Sequence, residues 1–217
     1  MISFDCVLDF FDFYKDLNIY EEWKLLDTSN NARGAAIYSK RYTEYLRELF
    51  SKKNLFRRNV SIAEIVSWLD NFILVKRIIS KLKDELPLNV LGNIRLHCEY
   101  KIELSKSRRI DFVFQYKCNI LLVEFRFSDK FPNLSNVWQK KEIELIIYKE
   151  LLMNYLPRDY RVFVYAFIGM PEYSGKTPLL KHIKYNNDNI NHICKYIASY
   201  LVNFKEGEKK NADIINE

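Results

Sequence analysis

Residues 94–127 restrict what this chain can fold into more than any other segment, because their hydrophobic residues change from a helical to a two-residue period. Apolar and polar residues alternate strictly over 94–104, which predicts a half-exposed β-strand. After a short polar turn, residues 109–116 are expected to return antiparallel to it. Residues 120–127 are almost continuously apolar, as is typical of a central strand. The segment therefore predicts three meandering strands of one sheet.

Helical periodicity flanks these strands. Helices are predicted over about 4–26, 33–53, 62–84, 136–156 and 189–204, and a further buried strand over 161–168. This order predicts an α/β protein with a mixed central sheet, an αβββαβ core, and helices on both faces of the sheet. The chain is divided into an N-terminal helical extension with a basic segment (1–60), the α/β core (61–204) and a polar tail expected to be disordered (205–217).

Composition indicates a folded, soluble protein. A chain of 217 residues with 48% hydrophobic and 29% charged residues can bury one sizeable core and is too apolar to be disordered. The N-terminus lacks the basic region of a signal peptide and carries Asp5, Asp9 and Asp12 among its apolar residues. No apolar run approaches the roughly 20 residues needed to cross a bilayer. We expect a cytoplasmic protein without a membrane partner.

The four cysteines and three histidines do not have the spacing of a zinc site. No CxxC pair occurs, and the nearest approaches to a ligand pair are His97-Cys98 and His192-x-Cys194. Buried free thiols in a reducing compartment are the favoured interpretation.

The net charge of +6 is concentrated in one segment, in which eight basic residues accompany two acidic ones. The basic residues are Arg33, Lys40, Arg41, Arg47, Lys52, Lys53, Arg57 and Arg58. Aromatic residues from Tyr38 onward follow helical spacing through the same segment. One interpretation is a helix with a buried aromatic stripe and a solvated basic face. The other is a nucleic-acid-binding surface, because clustered lysine and arginine displace counterions from phosphates.

Three charged residues interrupt the apolar strands. Asp111 opens the strand IDFVF, and Glu124 and Arg126 lie two residues apart, on one face of the strand ILLVEFRF. A turn around 117–119 places position 111 opposite about 125 or 126, within one or two residues of Glu124 across the ladder. Burying these charges is costly unless they pair with each other or hold a metal ion. A partly buried ion pair of Arg126 with either carboxylate is the alternative without chemistry.

This arrangement resembles the PD-(D/E)xK nuclease superfamily over residues 62–168. The resemblance consists of Asp111, Glu124-x-Arg126 thirteen positions later on the next strand, a following helix, and the element order αβββαβ. It implies a restriction-endonuclease-like fold in which Asp111, Glu124 and the backbone carbonyl of Phe125 bind Mg²⁺ or Mn²⁺. In that superfamily the lysine of the triplet orients or activates the attacking water.

Two positions depart from the family pattern. Ile110 stands where proline is usual, and Arg126 stands where lysine is usual. A guanidinium remains protonated and cannot act as a general base, although it can orient water or stabilise phosphorane charge. Some members of the superfamily supply the lysine from the following helix, where this chain has Lys140 and Lys141.

The segment from Glu144 to Tyr148 resembles the QLxxY helix of the family, with glutamate for glutamine. The spacing i, i+4 and i+8 places Lys140, Glu144 and Tyr148 on one side of this helix. A surface salt bridge of Lys140 with Glu144 beside a core tyrosine is therefore the alternative to a catalytic role.

Further glutamates are weaker candidates for the site. Glu64 corresponds to a glutamate on the first core helix of many family members. It also stands three residues after Ser61, and this capping box explains it without catalysis. Glu99 and Glu103 lie on the polar face of the preceding predicted strand.

A sequence resembling a phosphate-binding loop begins at Gly169 and ends at Thr177. Its glycines are separated by five residues rather than the four of a P-loop, and Pro178 differs from the usual helix continuation. Nucleotide hydrolysis is therefore disfavoured.

The leading hypothesis is a Mg²⁺-dependent phosphodiesterase acting on DNA or RNA, with Asp111 and Glu124 holding metal and Arg126, Lys140 or Lys141 serving the attacking water. A degenerate nuclease-like domain that binds nucleic acid or a partner protein is the first alternative. A structural interaction module is the second. The sequence also leaves a homodimer open.

Overall fold

The computed structural model describes residues 2–17, 62–102, 109–127, 134–169 and 187–203, and for 62–67, 69–70, 126–127, 134–138, 168–169 and 187–188 it describes the backbone only. The elements are β1 (Ile2–Phe4), α1 (Val7–Leu17), α2 (Ile62–Glu85), α3 (Leu88–Leu91), β2 (Arg95–Lys101), β3 (Arg109–Tyr116), β4 (Asn119–Phe127), α4 (Leu134–Met153), β5 (Arg161–Gly169), α5 (Asn187–Tyr196) and a π-helical segment (Ile197–Val202). The described residues do not include several parts of the chain for which the sequence makes predictions. These are the helix 33–53 with its basic residues, Ser61, Glu103, the loop-like sequence after Gly169 and the tail 205–217.

The five strands form one mixed sheet in the order β1-β2-β3-β4-β5. The first three pairs are antiparallel, and β4 and β5 run parallel. A parallel pair requires a crossover, and α4 provides it. The predicted α/β class with a mixed sheet is confirmed, and the sequence placed the four strands β2 to β5 within a few residues of their observed bounds.

The N-terminal strand is a correction to the sequence prediction, which began a helix at residue 4. Residues 2–4 instead pair with β2, with Ile2 opposite Cys98, and α1 begins only at Val7. Three residues are too few for their alternation to be separated from helical spacing. The first aromatic residues of the chain therefore belong to the central core.

Two hydrophobic cores lie on opposite faces of the sheet. The larger core packs α1, α2 and α5 against one face and contains Phe10, Phe72, Phe112, Leu121 and Ile193 among its buried members. The smaller core lies under α4 and contains Ile110, Leu122, Leu145, Tyr148 and Val162. Helices therefore cover both faces, as predicted.

The strict alternation predicted over 94–104 is broken at Glu99. Leu96 and Cys98 belong to the larger core, whereas Ile102 lies in the smaller core with Tyr100 packed against it. The cause is the backbone of Glu99, whose φ of 53° lies in the left-handed region. In β3, Phe112 and Ile110 likewise belong to different cores. The change of face in both strands occurs beside Asp111.

The turn between β3 and β4 sets the register of the polar residues. Tyr116 pairs with Asn119, so the turn has only two residues, and Lys117 takes a φ of 54°. This tight turn places Phe112 opposite Val123, which brings position 111 opposite Glu124 rather than opposite 125 or 126. The predicted register was wrong by one or two residues, because it assumed a longer turn.

The described helices include none that is long and apolar enough to span a membrane. All four cysteines are free thiols, with Cys98 and Cys194 buried and Cys6 and Cys118 partly exposed.

Candidate functional site

Asp111 and Glu124 are joined by a reciprocal pair of hydrogen bonds between adjacent strands. The backbone N–H of Asp111 donates to Glu124 Oε1 at 3.3 Å, and the backbone N–H of Phe125 donates to Asp111 Oδ2 at 2.8 Å. Each carboxylate thus accepts from the strand that carries the other. The two side chains are fixed by backbone atoms at the edge of the smaller core, which restricts their motion before any ligand binds.

Lys141 on α4 supplies the positive charge. Its Nζ lies 2.8 Å from Glu124 Oε2 and 2.9 Å from Glu144 Oε2. The side chain of Glu124 is 4% exposed, whereas that of Lys141 is 23% exposed. A nearly buried carboxylate without a cation would be strongly destabilising. The ion pair therefore ties α4 to β4 at the level of Asp111.

Tyr148 completes a chain of contacts along the inner side of α4. Its hydroxyl donates to Glu144 Oε1 at 2.6 Å, and Glu144 in turn bonds Lys141. Tyr148 is almost fully buried in the smaller core, so its hydroxyl is held by packing. These two hydrogen bonds to Glu144, one from Tyr148 and one from Lys141, fix the position of the Lys141 ammonium relative to Glu124.

The electrostatics of the cluster are dominated by carboxylates. Burial raises the pKa of Asp111 well above its ordinary value, and the neighbouring charge of Glu124 raises it further, while the hydrogen bond from Phe125 opposes the shift. Burial also raises the pKa of Glu124, against the opposing effect of Lys141. In the absence of another cation, the pair favours holding a proton.

Lys141 remains protonated in this environment. Burial alone lowers the pKa of Lys141, but the charges and hydrogen bonds of Glu124 and Glu144 outweigh burial and raise the pKa above its ordinary value. A firmly protonated ammonium can orient a water molecule or stabilise negative charge. It is not suited to act as a general base while Glu124 and Glu144 are ionised beside it.

Glu99 adds a third carboxylate at this end of the sheet. Its neighbours Cys98 and Tyr100 pair with Phe112 and Ile110, so Glu99 is level with Asp111 on the adjacent strand. Arg109 Nη1 donates to Glu99 Oε2 at 3.3 Å, and the charge of Glu99 contributes to the raised pKa of Asp111. Its left-handed backbone was not expected from the sequence, because a glutamate carries no signal for a positive φ.

The structure distinguishes between the two candidate lysines. Lys141 contacts Glu124, whereas Lys140 is exposed. The expected i, i+4 pair of Lys140 with Glu144 is replaced by an i, i+3 pair of Lys141 with Glu144. Arg126 and Glu64 are described by their backbones alone, in β4 and α2, so their proposed roles stay predictions. The predicted nucleic-acid-binding residues between Arg33 and Arg58 lie outside the described ranges.

The donor set can be compared with the ligands that a divalent cation requires. Among the described residues, no group of three or more His, Cys, Asp or Glu side chains is arranged as a metal site. Asp111 and Glu124 are a pair, and Mg²⁺ is commonly bound through one or two carboxylates while it retains several waters. The ionised forms of Asp111 and Glu124 repel each other, and the charge of a bound divalent cation would offset this repulsion. Asp111 and Glu124 would hold it, with the Phe125 carbonyl as the further ligand that the family resemblance implies.

Comparison with known proteins found no match among family models, curated proteins or solved structures.

Replacing Tyr148 by phenylalanine is expected to loosen Lys141 while the core remains packed. A hydrogen bond to a charged acceptor contributes roughly 1.5–3 kcal/mol, and partial exposure of Glu144 reduces the expected loss of unfolding free energy to about 1 kcal/mol. Because Tyr148 acts through Glu144, the turnover rate of any reaction at the site should fall about tenfold while KM is retained. Urea denaturation and steady-state kinetics measure the two effects. The exposed Tyr155→Phe variant is the matched control, and equal losses in both variants would contradict this role.

The raised carboxyl pKa values predict an unusual dependence of stability on pH. As pH rises, the folded protein keeps a proton on Asp111, and to a smaller extent on Glu124, to a higher pH than the unfolded chain does. Their stabilising contribution is therefore complete below the unfolded pKa, about 4, and is lost as pH rises through the raised folded values. Mn²⁺ or Mg²⁺ should restore it at neutral pH, by about 2.7 kcal/mol at a concentration 100 times the Kd. Thermal melting from pH 4 to 8, with EDTA or with Mn²⁺, measures this, and a metal effect that does not grow with pH would contradict it.

Proposed function

We propose that this chain is a Mg²⁺-dependent phosphodiesterase that cleaves DNA or RNA, on a restriction-endonuclease-like α/β fold. The observation that carries the proposal is the meeting of Asp111, Glu124 and Lys141 at one point of the sheet. Lys141 Nζ lies 2.8 Å from Glu124 Oε2, and Asp111 is joined to Glu124 by the reciprocal hydrogen bonds between β3 and β4.

The combination of two carboxylates and one ammonium fits phosphodiester hydrolysis. The reaction places additional negative charge on the phosphoryl oxygens, and groups fixed in advance stabilise this charge without reorganising. Lys141 is such a group, because Glu124, Glu144 and the buried Tyr148 hydroxyl hold its position. When bound, Mg²⁺ supplies polarisation of a phosphoryl oxygen and a lowered pKa for a bound water.

The polypeptide contributes position and charge. Asp111 and Glu124 provide the negative charge that holds a cation, and backbone N–H groups keep their oxygens in place. Lys141 remains protonated and is suited to orient the attacking water or to neutralise the pentavalent phosphate. Lys141 thus takes the part that the superfamily gives to the triplet lysine. The arginine at position 126 need not act as a base under this proposal.

The proposal is tested by incubating the purified full chain with end-labelled single- and double-stranded DNA and RNA. We expect cleavage of at least one substrate with Mg²⁺ or Mn²⁺, and none with EDTA. Binding of the basic segment to phosphates predicts that cleavage weakens steeply with added salt. Intact substrates under all metal conditions would overturn the proposal.

A catalytically degenerate domain that binds nucleic acid or a partner protein is the second candidate. The observation in its favour is that Glu124 already has a full ion-pair partner in Lys141, so the site is electrostatically satisfied on that oxygen without a metal. Calorimetry with Mn²⁺ separates the candidates. The nuclease predicts binding to the wild-type chain that is lost in Glu124→Ala, whereas the degenerate domain predicts no heat in either protein.

A further inference from the structure

The outer side of α4 carries an apolar stripe that the described core leaves exposed. While Leu145 and Tyr148 face the sheet, isoleucines on the opposite side of the helix remain 41–59% exposed. The stripe consists of Ile143, Ile146, Ile147 and Met153. Ile146 and Ile147 follow Ile143 by three and four residues, and Met153 follows Ile146 by seven, so all four lie on one helical face. A stripe of large, exposed aliphatic side chains is typical of a surface that packs against a partner.

The charges beside the stripe show which partner would fit. Glu142 and Lys149 lie on the same flank of the stripe, seven residues apart, and both are half-buried. In an antiparallel pair of identical helices, equivalent flanking positions meet each other across the interface. Glu142 of one copy then lies opposite Lys149 of the second copy, and the pair occurs twice by symmetry. The surface is therefore self-complementary.

The same register accounts for the remaining polar residues of the stripe. A two-fold axis near position 145 brings Ile143 of one copy against Ile146 and Ile147 of the other. It also places Glu150, which interrupts the apolar stripe, opposite Gln139 and Lys140 of the second copy, and all three of these residues are exposed. One register thus satisfies both the apolar and the charged positions, as an isologous interface requires.

We propose that this chain forms a two-fold symmetric homodimer through antiparallel packing of α4 against α4. The interface uses the side of the helix opposite to Lys141 and Glu144, so it goes beyond the proposed nuclease function and does not depend on it. A single helix pair is smaller than the roughly 800 Å² per partner of a typical stable complex, so the dimer dissociates in the micromolar range.

The charge pair makes the test specific. The Glu142→Lys variant places like charges opposite each other in its own dimer, and so does Lys149→Glu. Each single variant is expected to dimerise about tenfold more weakly than the wild type. An equimolar mixture of the two variants pairs lysine with glutamate at all four positions and should recover wild-type association. Ile146→Lys should remain monomeric alone and in mixtures.

Sedimentation velocity over the micromolar range, with circular dichroism to check folding, measures these states. A wild-type chain that stays monomeric overturns the proposal, including the case in which Ile146→Lys lowers the Tm because another segment of the chain covers the stripe. A dimer that both charge variants leave unchanged also overturns it, because its interface would then lie elsewhere. Since no metal or nucleic acid is needed, the result is independent of the test of cleavage.

Discussion

Replacing Asp111 by asparagine is expected to abolish metal-dependent cleavage while leaving the fold intact. The amide oxygen of asparagine can still accept the hydrogen bond that Phe125 donates to Asp111 Oδ2, so β3 and β4 remain joined. The variant loses the negative charge that would bind the cation. Loss of groups that merely orient metal ligands reduces activity by roughly 10–100-fold, so loss of a ligand should cost at least about 100-fold.

Stability should move in the opposite direction from activity. Asparagine removes a carboxylate whose pKa is raised by burial and, to a smaller extent, by the charge of Glu124, so the metal-free variant should be at least as stable as the wild type at pH 7. Thermal melting in EDTA and cleavage with Mn²⁺ measure the two effects. Asp84→Asn is the matched control, because Asp84 makes an exposed salt bridge with Lys81. Cleavage by Asp111→Asn at the wild-type rate would exclude this aspartate as a metal ligand.

The sequence predicted most of the described fold, because hydrophobic periodicity is a local property. The period-two strands and the helix after Ser61 have the expected positions, and the apolar strand ILLVEFRF is an interior strand between β3 and β5. The errors arose where contacts with a distant segment, or a local backbone conformation, determine the structure. Strand β1 exists because Ile2–Phe4 pairs with β2. The change of face at Glu99 results from a backbone conformation that sequence spacing does not show.

The candidate site was predictable to a similar degree. Carboxylates in apolar strands require partners, so the sequence alone identifies Asp111 and Glu124 as candidate site residues. The partner itself was undetermined, since the choice between Lys140 and Lys141 depends on how α4 is rotated against the sheet. That rotation is set by the packing of Leu145 and Tyr148, which is a tertiary property. The side chain of Arg126, the other proposed partner, lies outside the described residues.

Replacing Lys141 by methionine is expected to produce the largest loss of stability. The apolar part of the side chain is conserved, but Glu124 loses its only cation in the described part of the site. Breaking a buried ion pair costs roughly 3–5 kcal/mol, and the partial exposure of Lys141 reduces the expected loss of unfolding free energy to about 2–3 kcal/mol at pH 7. Because Glu124 can take up a proton instead, the loss should shrink toward pH 4. Cleavage should fall by at least about 100-fold.

Two further variants separate the charge effect from the helix itself. Lys140→Met on the adjacent, exposed position should change stability by less than about 0.5 kcal/mol. Glu124→Gln combined with Lys141→Met removes both charges, so the double variant should recover most of the lost stability while remaining inactive. Urea denaturation of the wild type, Glu124→Gln, Lys141→Met and the double variant gives the coupling free energy directly. Additive losses would show that Lys141 and Glu124 do not interact, and equal losses in Lys140→Met and Lys141→Met would show that the helix, rather than the ion pair, is being measured.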